Sequence, residues 1–377
     1  MTDKNRYKLF SNALLFVYPT SPGISLRALI RLLRRCRGTV APIYLLRLLS
    51  TLVIATLLKL LNAADMIAWR RSCRPTLAPP PLFILGHWRS GTTLLHELLA
   101  TDPTHIALPT ISAYLPRCSP IVTRLLARGV APFLPSTRPF DAMPLNLCGP
   151  CEEEQAILND CGVSVMASGI CPSPHGHKYS RAAMTLRGLP RGDRQLWAKS
   201  HRAIVEKLCR SAQGARPVLK SPANTARIRF LNALYPGALF LHIRRNPYRV
   251  FASTKSMLAQ FEASVRLCYG FEGDSGAEIL ATGVAMYTRY KADSKRLGYR
   301  LHEIAYEDLI RDPHAALNGV YTAFGLDGFA NAWPHMKALL DERTGHKLTQ
   351  LPPLSAVEQR LVRQHWAWAF DDWGYPM

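Results

Sequence analysis

One stretch, residues 82–99, constrains the fold more than any other part of the sequence. Its first four residues, Leu82–Leu85, are apolar and follow three consecutive prolines, a pattern typical of a short strand buried in a parallel sheet. A loop with two glycines comes next, and leucines at helical spacing follow it. A strand, a glycine-containing loop and a helix together predict a phosphate cradle, because the loop amides and the helix N-terminus converge on one anion.

The loop from Gly86 to Gly91 also supplies side-chain donors. Arg89 adds a planar guanidinium, and Thr92 and Thr93 add hydroxyl groups beside the backbone amides. The glycine spacing resembles a Walker A loop, but Thr92 occupies the position of the lysine that binds the β- and γ-phosphates. We therefore interpret the loop as an anion cradle that does not hold a nucleoside triphosphate. The alternative is an ordinary strand–turn–helix with a chance arginine.

The charge balance indicates an anionic partner. Lys and Arg number 47 against 26 Asp and Glu, a net charge of +21, which favours a nucleotide, an anionic lipid surface or a nucleic acid. No DNA- or RNA-binding motif is visible, so a nucleic acid is not expected. With 377 residues, 48% of them hydrophobic, the chain is expected to form one large globular domain or a domain with a cap.

The nine cysteines allow two interpretations. An odd number without a recognisable secretory signal predicts reduced thiols and a cytoplasmic location. Cys148 and Cys151 have C-x-x-C redox spacing, and a zinc site can be drawn with further candidate ligands at Cys161, Cys171, His175 and His177. Because the spacings are irregular and the pair follows no clear strand, we favour buried free cysteines and expect no metal.

Residues 1–78 are predicted to form a helical, basic N-terminal region. Between Ile24 and Arg37, four arginines share one helix face and aliphatic residues share another. Such a helix is a candidate for lying on an anionic membrane, and the alternative is a helix packed on the protein with a solvated basic face. The uncharged run Leu48–Leu58 is too short to span a bilayer, which takes about 20 residues. It predicts a buried helix or an interfacial anchor.

Residues 103–195 are predicted to form a cap or substrate-binding insert. The part before residue 150 is rich in Pro, Ser and Arg, and residues 171–195 are expected to be irregular. Between these parts, Glu152–Glu154 open a helix. Three acids at a helix N-terminus suit the helix dipole. Acids are scarce in this chain, however, so the cluster also provides candidates for a general base.

A later segment predicts the rest of the sheet. Val218–Pro222 is predicted as a strand containing Lys220, and Ala238–Ile243 as a strand that runs into Arg245 and a helix. This order predicts an α/β fold with a parallel sheet flanked by helices. Because ligands bind at the carboxyl ends of such strands, Arg245 and Ser253 can meet on one anion.

Four motifs together resemble the PAPS-dependent sulfotransferases, where PAPS is 3'-phosphoadenosine 5'-phosphosulfate. The motifs are Arg89-Ser90-Gly91-Thr92-Thr93, Lys220-Ser221-Pro222, Arg245-Asn246-Pro247 with Ser253, and Tyr306-Glu307-Asp308. The resemblance covers about residues 80–325 and is stronger to the bacterial branch that carries RSGTT. It implies a P-loop-type sulfotransferase fold over residues 79–377, PAPS as the co-substrate and no metal.

The resemblance also implies roles for single residues. Arg89, Ser90, Gly91, Thr92 and Thr93 match the loop that binds the 5'-phosphosulfate. Arg245 and Ser253, at the family's spacing of eight residues, match the pair that binds the 3'-phosphate, and Tyr306 matches a residue near the adenine. Lys220 matches the lysine that contacts the transferring sulfonate and the bridging oxygen. Arg343 and Lys347 lie where a basic loop could close on the 3'-phosphate.

The general base is where this sequence departs from the family pattern. Many cytosolic relatives carry a histidine two residues after the lysine, and here that position is Pro222. Other branches use a glutamate. We therefore expect Glu152 or Glu154 to be the base, with His87 and Asp141 as further candidates.

The expected reaction is in-line transfer of a sulfonyl group to an acceptor hydroxyl, with Arg89 and Lys220 stabilising the developing charge. The apolar, basic N-terminal region favours a lipid or glycolipid acceptor and peripheral binding to the inner face of an anionic membrane. Two other classes stay open at this point. One is a P-loop kinase-like transferase that needs ATP and Mg²⁺, and the other is a non-catalytic basic membrane-surface protein.

Overall fold

Five short strands pair in parallel and form one sheet. The computed structural model describes residues 20–72, 78–133, 145–212, 214–270, 275–343 and 353–377. The strands are β1 Leu82–Leu85, β2 His105–Ala107, β3 Arg216–Lys220, β4 Leu239–Arg244 and β5 Leu301–Ala305. Their order in the sheet is β2-β3-β1-β4-β5. The predicted α/β class with a parallel, helix-flanked sheet is confirmed.

Helices surround this sheet and build the N-terminal and cap regions. They are α1 Leu26–Cys36, α2 Leu45–Ser72, α3 Thr92–Ala100, α4 Thr110–Tyr114, α5 Pro120–Val130, α6 Glu153–Cys161, α7 Ala167–Ile170, α8 Pro174–Thr185, α9 Arg191–Ser211, α10 Ile228–Leu234, α11 Pro247–Val265, α12 Ser275–Ser294, α13 Tyr306–Arg311, α14 Pro313–Phe324, α15 Phe329–Arg343, α16 Ala356–His365 and α17 Ala367–Trp373.

The central strand explains why the sheet is buried on both faces. All four residues of β1 are fully buried, and they alternate between two apolar clusters. Phe83 and Leu85 pack with one cluster, whereas Leu82 and Ile84 pack with the other. Because side chains alternate across a strand, an unbroken apolar run fits only a strand with helices on both sides.

Helix α1 is packed into the main core rather than held apart from it. Ser25 caps its N-terminus, and its buried face carries Ala28, Leu29 and Leu32 among others. The Arg35 side chain contacts Asp193 of α9 with an Nε–Oδ2 distance of 2.8 Å. One face of α1 is therefore packed on the protein, as in the second of the two alternatives for this helix. The proposed division at residue 78 stays a prediction.

Helix α2 is longer than the sequence predicted. Its charged flanks, Arg47 and Lys59, lie within the helix and do not end it. The interpretation of Leu48–Leu58 as an element too short to span a bilayer is therefore corrected. Residues Pro42–Leu60 have the length and composition expected of a membrane span, and only 17% of this segment is buried against the protein.

The cap is more helical than predicted, and most cysteines are buried. Residues 171–195, expected to be irregular, contain α8 and the start of α9. Their few apolar positions gave a weak periodic signal, and the helix is fixed by the Ser173 cap and by burial of residues such as Ala183. The eight described cysteines are free thiols, with Cys148 exposed and Cys151 half-buried.

Candidate active site

The cradle loop has a backbone that only glycine fits at two positions. Gly86 has φ of 144° and Gly91 has φ of 103°, values that side-chain-bearing residues rarely adopt. A Cβ on Gly86 would lie 2.6 Å from the Ile243 carbonyl oxygen, and one on Gly91 would lie 2.3 Å from Tyr306 Cδ2. The two glycines therefore let the loop fold tightly against β4 and the Tyr306 ring.

The helix after this loop begins without a side-chain cap. Gly91 is the N-cap of α3, and the first turn of the helix carries no acidic residue. Because first-turn amides have no partner within a helix, this N-terminus favours an anion. Ser90 stabilises the loop from within, since its buried hydroxyl donates to the His87 carbonyl oxygen at 2.8 Å.

A second group of donors lies beside the loop. The Arg89 Nε donates to the Ser253 hydroxyl at 2.8 Å, and an Arg245 Nη donates to the Arg89 carbonyl oxygen at 3.1 Å. The Arg245 guanidinium also lies 4.0 Å from the centre of the Tyr306 ring. The structure thus brings Arg245, Ser253 and Tyr306, which the resemblance assigned to the 3'-phosphate and adenine, together with Arg89 of the loop assigned to the 5'-phosphosulfate.

These arginines have no carboxylate partner in the residues described. Within those ranges, no acidic side chain lies within ion-pairing distance of Arg89 or Arg245. Burial lowers the pKa of Arg245 from its ordinary value, while nearby Tyr306 and Glu307 oppose that effect. Two neighbouring cations without a paired anion make a site that a phosphate group would stabilise.

The catalytic candidates meet at the end of β3. Lys220 is buried, and its ammonium lies 2.5 Å from a Glu152 carboxylate oxygen and 3.4 Å from the Thr93 hydroxyl. The Glu152 side chain keeps 23% of its surface exposed. Glu152 therefore lies at the mouth of the site, where it can contact both the lysine and an incoming molecule.

The next two glutamates have different surroundings. Asn224 donates to a Glu153 carboxylate oxygen at 2.5 Å, and burial raises the pKa of Glu153 to about 7. Glu154 is fully buried against Arg227, with a closest N–O distance of 2.5 Å. Burial alone would raise the pKa of Glu154, but the guanidinium outweighs it and holds that pKa below the usual range.

Both carboxylate oxygens of Glu154 already accept hydrogen bonds, so neither is available for proton transfer. Besides Arg227, its Oε1 accepts from the Ser164 hydroxyl at 2.7 Å and from the Val165 amide at 3.0 Å. Both side chains of the pair have no exposed surface. The geometry therefore favours Glu152 over Glu154 as the base, and it gives Glu154 a structural role.

The remaining predicted residues lie away from this pair or outside the described ranges. His87 is buried against the Trp88 and Trp366 rings, with centroid distances of 5.6 and 5.2 Å, and burial lowers its pKa to about 4. Arg343 ends α15 and forms an ion pair with Glu97 of α3. Asp141 and Lys347 lie outside the described residues.

Sequence reasoning missed the segment that supports both halves of the site. Residues 222–226 form a 3-10 turn directly after Lys220. Within it, the Thr225 hydroxyl accepts from the Gly86 amide at 2.8 Å and donates to the Gly86 carbonyl at 3.2 Å. The available signal was the polar pair Asn224 and Thr225 shortly after a buried strand, where parallel sheets place ligand-binding groups.

Comparison with known proteins agrees with this geometry. The profile of the sulfotransferase family matches residues 80–331. The chain belongs to the sulfotransferase family.

Relatives and solved structures extend this result over most of the chain. The sequence is 28% identical over 335 residues to the omega-hydroxy-beta-dihydromenaquinone-9 sulfotransferase Stf3 of Mycobacterium bovis and of Mycobacterium tuberculosis, covering 86% of this chain and 84% of the relative. The fold is similar to sulfotransferase STF1 from Mycobacterium tuberculosis (TM-score 0.68, 22% identity, 90% and 91% of the two chains). It is also similar to STF9 from Mycobacterium avium (TM-score 0.71, 16% identity, 92% and 90%).

Proposed function

We propose that this protein transfers the sulfonyl group of PAPS to a hydroxyl group of a lipid acceptor. The observation that carries the proposal is the contact of Lys220 with Glu152 and Thr93, at the same sheet edge as Arg89, Arg245 and Ser253. An acid, a buried lysine and a cradle for phosphate groups are the parts that sulfonyl transfer to a hydroxyl requires.

The donor groups suit the two charged ends of PAPS. The uncapped N-terminus of α3, with Thr92 and Thr93, is suited to the 5'-phosphosulfate, and the Arg245–Ser253 side is suited to the 3'-phosphate. Tyr306 stacks on Arg245 at the end of β5, where it can border the nucleoside. PAPS would supply the activated sulfonyl group, and the residues of this chain would bind and orient it.

Two residues carry the chemistry in this proposal. Glu152 accepts the proton of the acceptor hydroxyl as that oxygen attacks sulfur, a contribution of typically ~10²–10⁴-fold. Lys220 stabilises the negative charge that develops on the sulfonyl oxygens and on the leaving phosphate oxygen. Because Lys220 and Glu152 are already in contact, small shifts of either side chain adjust them to the acceptor and the leaving group.

Two observations support a lipid as the acceptor: the name of a relative and the exposed leucines of the N-terminal region. The relative Stf3 is named for a hydroxylated menaquinone derivative. In this chain, α2 presents leucines outward, as expected for a protein that meets its acceptor at a lipid surface. We propose a hydroxyl on a membrane lipid as the acceptor, with the protein working peripherally on the cytoplasmic face of the membrane.

The first experiment is thermal denaturation with PAP (adenosine 3',5'-bisphosphate), the expected product, compared with ATP plus Mg²⁺. A ligand that binds only the native state raises the unfolding midpoint. We expect a clear rise with PAP and none with ATP. A rise with ATP and Mg²⁺ alone would instead favour a kinase-like transferase, and no rise with either would remove the basis for the proposed site.

Lys220→Ala separates catalysis from binding in the same assay. We expect sulfotransfer to fall by about 10²-fold or more, because the charge on the leaving oxygen loses a stabilising cation. The PAP-induced rise in midpoint should stay close to that of the unchanged protein. Equal turnover in both proteins would contradict the role given to Lys220.

A further inference from the structure

We propose that α2 and α5 form a docking surface that lies in the plane of an anionic bilayer and does not cross it. The surface, called here the outer leucine face, is an apolar set exposed on two neighbouring helices. Its members are Leu45, Leu46, Leu49, Val53, Leu57 and Leu60 of α2 with Ile121, Leu125 and Val130 of α5. This inference deepens the proposed function, because it specifies how the protein would reach a lipid acceptor.

Helix α2 has its apolar side turned outward. Leu49, Val53, Leu57 and Leu60 are between 50% and 72% exposed. The side that faces the protein includes polar residues, and Arg47 is only 1% exposed and donates to the Arg266 carbonyl oxygen at 2.7 Å. This arrangement is unfavourable if the helix faces only water, because an amphipathic surface helix normally buries its apolar side.

Contacts with the protein run along α2 from Arg47 to Asp65. At its start, the buried Arg47, Thr51 and Ala55 face the body of the protein. Farther along, Asn62 accepts from the Cys118 thiol at 2.8 Å, and Asp65 accepts from the Ser119 amide at 2.6 Å. These positions are three, four or seven residues apart, so they form one stripe on the helix.

The position of this stripe distinguishes a helix α2 that spans the bilayer from one that lies in its plane. A helix of 28 residues is ~42 Å long at 1.5 Å per residue. If α2 crossed a bilayer, the protein packed along its inner side would enter the hydrocarbon with its polar groups, which is costly. If α2 lies in the plane, the outer leucine face enters the acyl boundary and the body stays in water.

Charge identifies an anionic bilayer as the occupant. Residues 20–64 contain no Asp or Glu and seven Lys and Arg, of which Arg47 is buried and Arg35 pairs with Asp193, and residues 103–133 contain no Asp or Glu either. Arg124 and Arg128 are exposed on the same side of α5 as Ile121 and Leu125. Basic side chains beside an exposed apolar face are complementary to anionic headgroups above acyl chains.

The outer leucine face is connected to the proposed base. Helices α2 and α5 pack on a small apolar cluster that includes Ile111 of α4. The backbone beside α4 pairs with the segment before Glu152, where the Cys151 amide donates to the Leu108 carbonyl at 2.8 Å and the Thr110 amide donates to the Gly149 carbonyl at 2.8 Å. Docking would therefore hold the base at a fixed position relative to the lipid surface.

Vesicle sedimentation tests the surface. We expect the full chain to bind phosphatidylglycerol vesicles more tightly than phosphatidylcholine vesicles. Leu49→Asp combined with Leu57→Asp should weaken binding by about tenfold or more, because two exposed side chains that would enter the acyl boundary become charged. Val357→Asp on α16 is the matched control, since Val357 is also exposed, at 55%. Undiminished binding of the double variant would overturn the outer leucine face.

A second variant tests the surface without changing α2, so that a folding defect in this helix cannot explain the result. Arg124→Gln with Arg128→Gln removes two exposed charges, and each basic residue at such a surface contributes ~1 kcal/mol, or about fivefold. We expect at least a tenfold loss on phosphatidylglycerol and no change on phosphatidylcholine. Equal losses on both lipids would contradict the headgroup contact.

The orientation is tested with a cleavable N-terminal tag on the full chain. In-plane docking leaves the tag outside intact vesicles, where an added site-specific protease removes it. A spanning α2 would place the tag and the body on opposite sides, so a protected tag would overturn the in-plane arrangement. Lys220→Ala should bind vesicles as the unchanged protein does. Vesicle binding without a PAP response would therefore refute the proposed function and leave the docking surface standing.

Discussion

Two ion pairs at the start of α6 use glutamates that lie two residues apart, the N-cap Glu152 and Glu154 of the first turn, and their surroundings are opposite. Glu152 with Lys220 lies at the mouth of the site, where the glutamate side chain is 23% exposed. Glu154 with Arg227 has no exposed surface, and further hydrogen bonds complete it. Solvent access therefore separates a pair that can exchange a proton with a substrate from a pair that fixes the position of the cap on the sheet.

The same comparison explains why three acids occur together in a basic chain. Glu152, Glu153 and Glu154 contact Lys220, Asn224 and Arg227, respectively. All three partners lie at the end of β3 or within the seven residues that follow it. The acid cluster thus joins the start of α6 to the carboxyl end of the sheet, and one of its members remains at the surface.

The largest expected effect comes from Glu152→Gln. We expect sulfotransfer to fall by ~10²–10⁴-fold, because the acceptor hydroxyl loses its base. The free energy of unfolding should fall less than for a fully buried pair, because the Glu152 side chain is 23% exposed even though its partner Lys220 is buried. Turnover and urea denaturation measured on one preparation check both parts. A variant with full turnover would move the base to another residue.

Glu154→Gln should show the reverse pattern, with a larger effect on the free energy of unfolding than on sulfotransfer. Removing one partner of a buried pair leaves Arg227 without its charge partner and costs ~3–5 kcal/mol of unfolding free energy. Urea denaturation measures the loss. Glu206→Gln is the matched control, because Glu206 pairs with Arg210 on the surface of α9 and should cost at most about 0.5 kcal/mol. Similar losses in the two variants would remove the distinction between the buried and exposed pairs.

Glu153 predicts a pH dependence of stability. Burial raises its pKa from an ordinary 4.5 to about 7, so the folded state holds this proton more tightly than the unfolded state does. Its contribution is therefore complete below pH ~4.5 and is lost as the pH rises through 7, by ~3 kcal/mol.

The measurement is the difference between the unchanged protein and Glu153→Gln at pH 5 and pH 8. The variant should become relatively more stable as the pH rises. Buried His87 and His96, whose pKa values are lowered to about 4 and about 3 by burial, act in the opposite direction. They act equally in both proteins, so the difference reports Glu153. A difference that is constant with pH would contradict the raised pKa.

Arg245→Ala gives the smallest of these effects. We expect PAP to bind ~10–100-fold more weakly, because one charge-assisted contact of about 1.5–3 kcal/mol is lost, while turnover at saturating PAPS changes less. Isothermal titration measures the affinity. Arg311→Ala is the control, since Arg311 is an exposed arginine paired only with Asp308 within the described residues. Equal affinities for the two variants would remove Arg245 from the phosphate site.

Much of the site was predictable because its parts are local in sequence. The loop from Gly86 to Thr93, the lysine at the end of β3 and the Arg245–Ser253 pair each combine a strand end with polar side chains. Parallel sheets bring such strand ends to one edge. The arginine contact from Arg89 to Ser253 was not predictable, because it joins two motifs 164 residues apart.

By itself, the sequence determined the strand–loop–helix cradle, the parallel sheet and the residues that carry charge, because each depends on local hydrophobic pattern and residue type. The tertiary structure alone decided which glutamate faces the lysine and which one is buried. It also decided that α2 turns its leucines outward while Arg47 faces the protein. Burial and pairing depend on what packs against a residue from distant parts of the chain, and no local pattern contains that information.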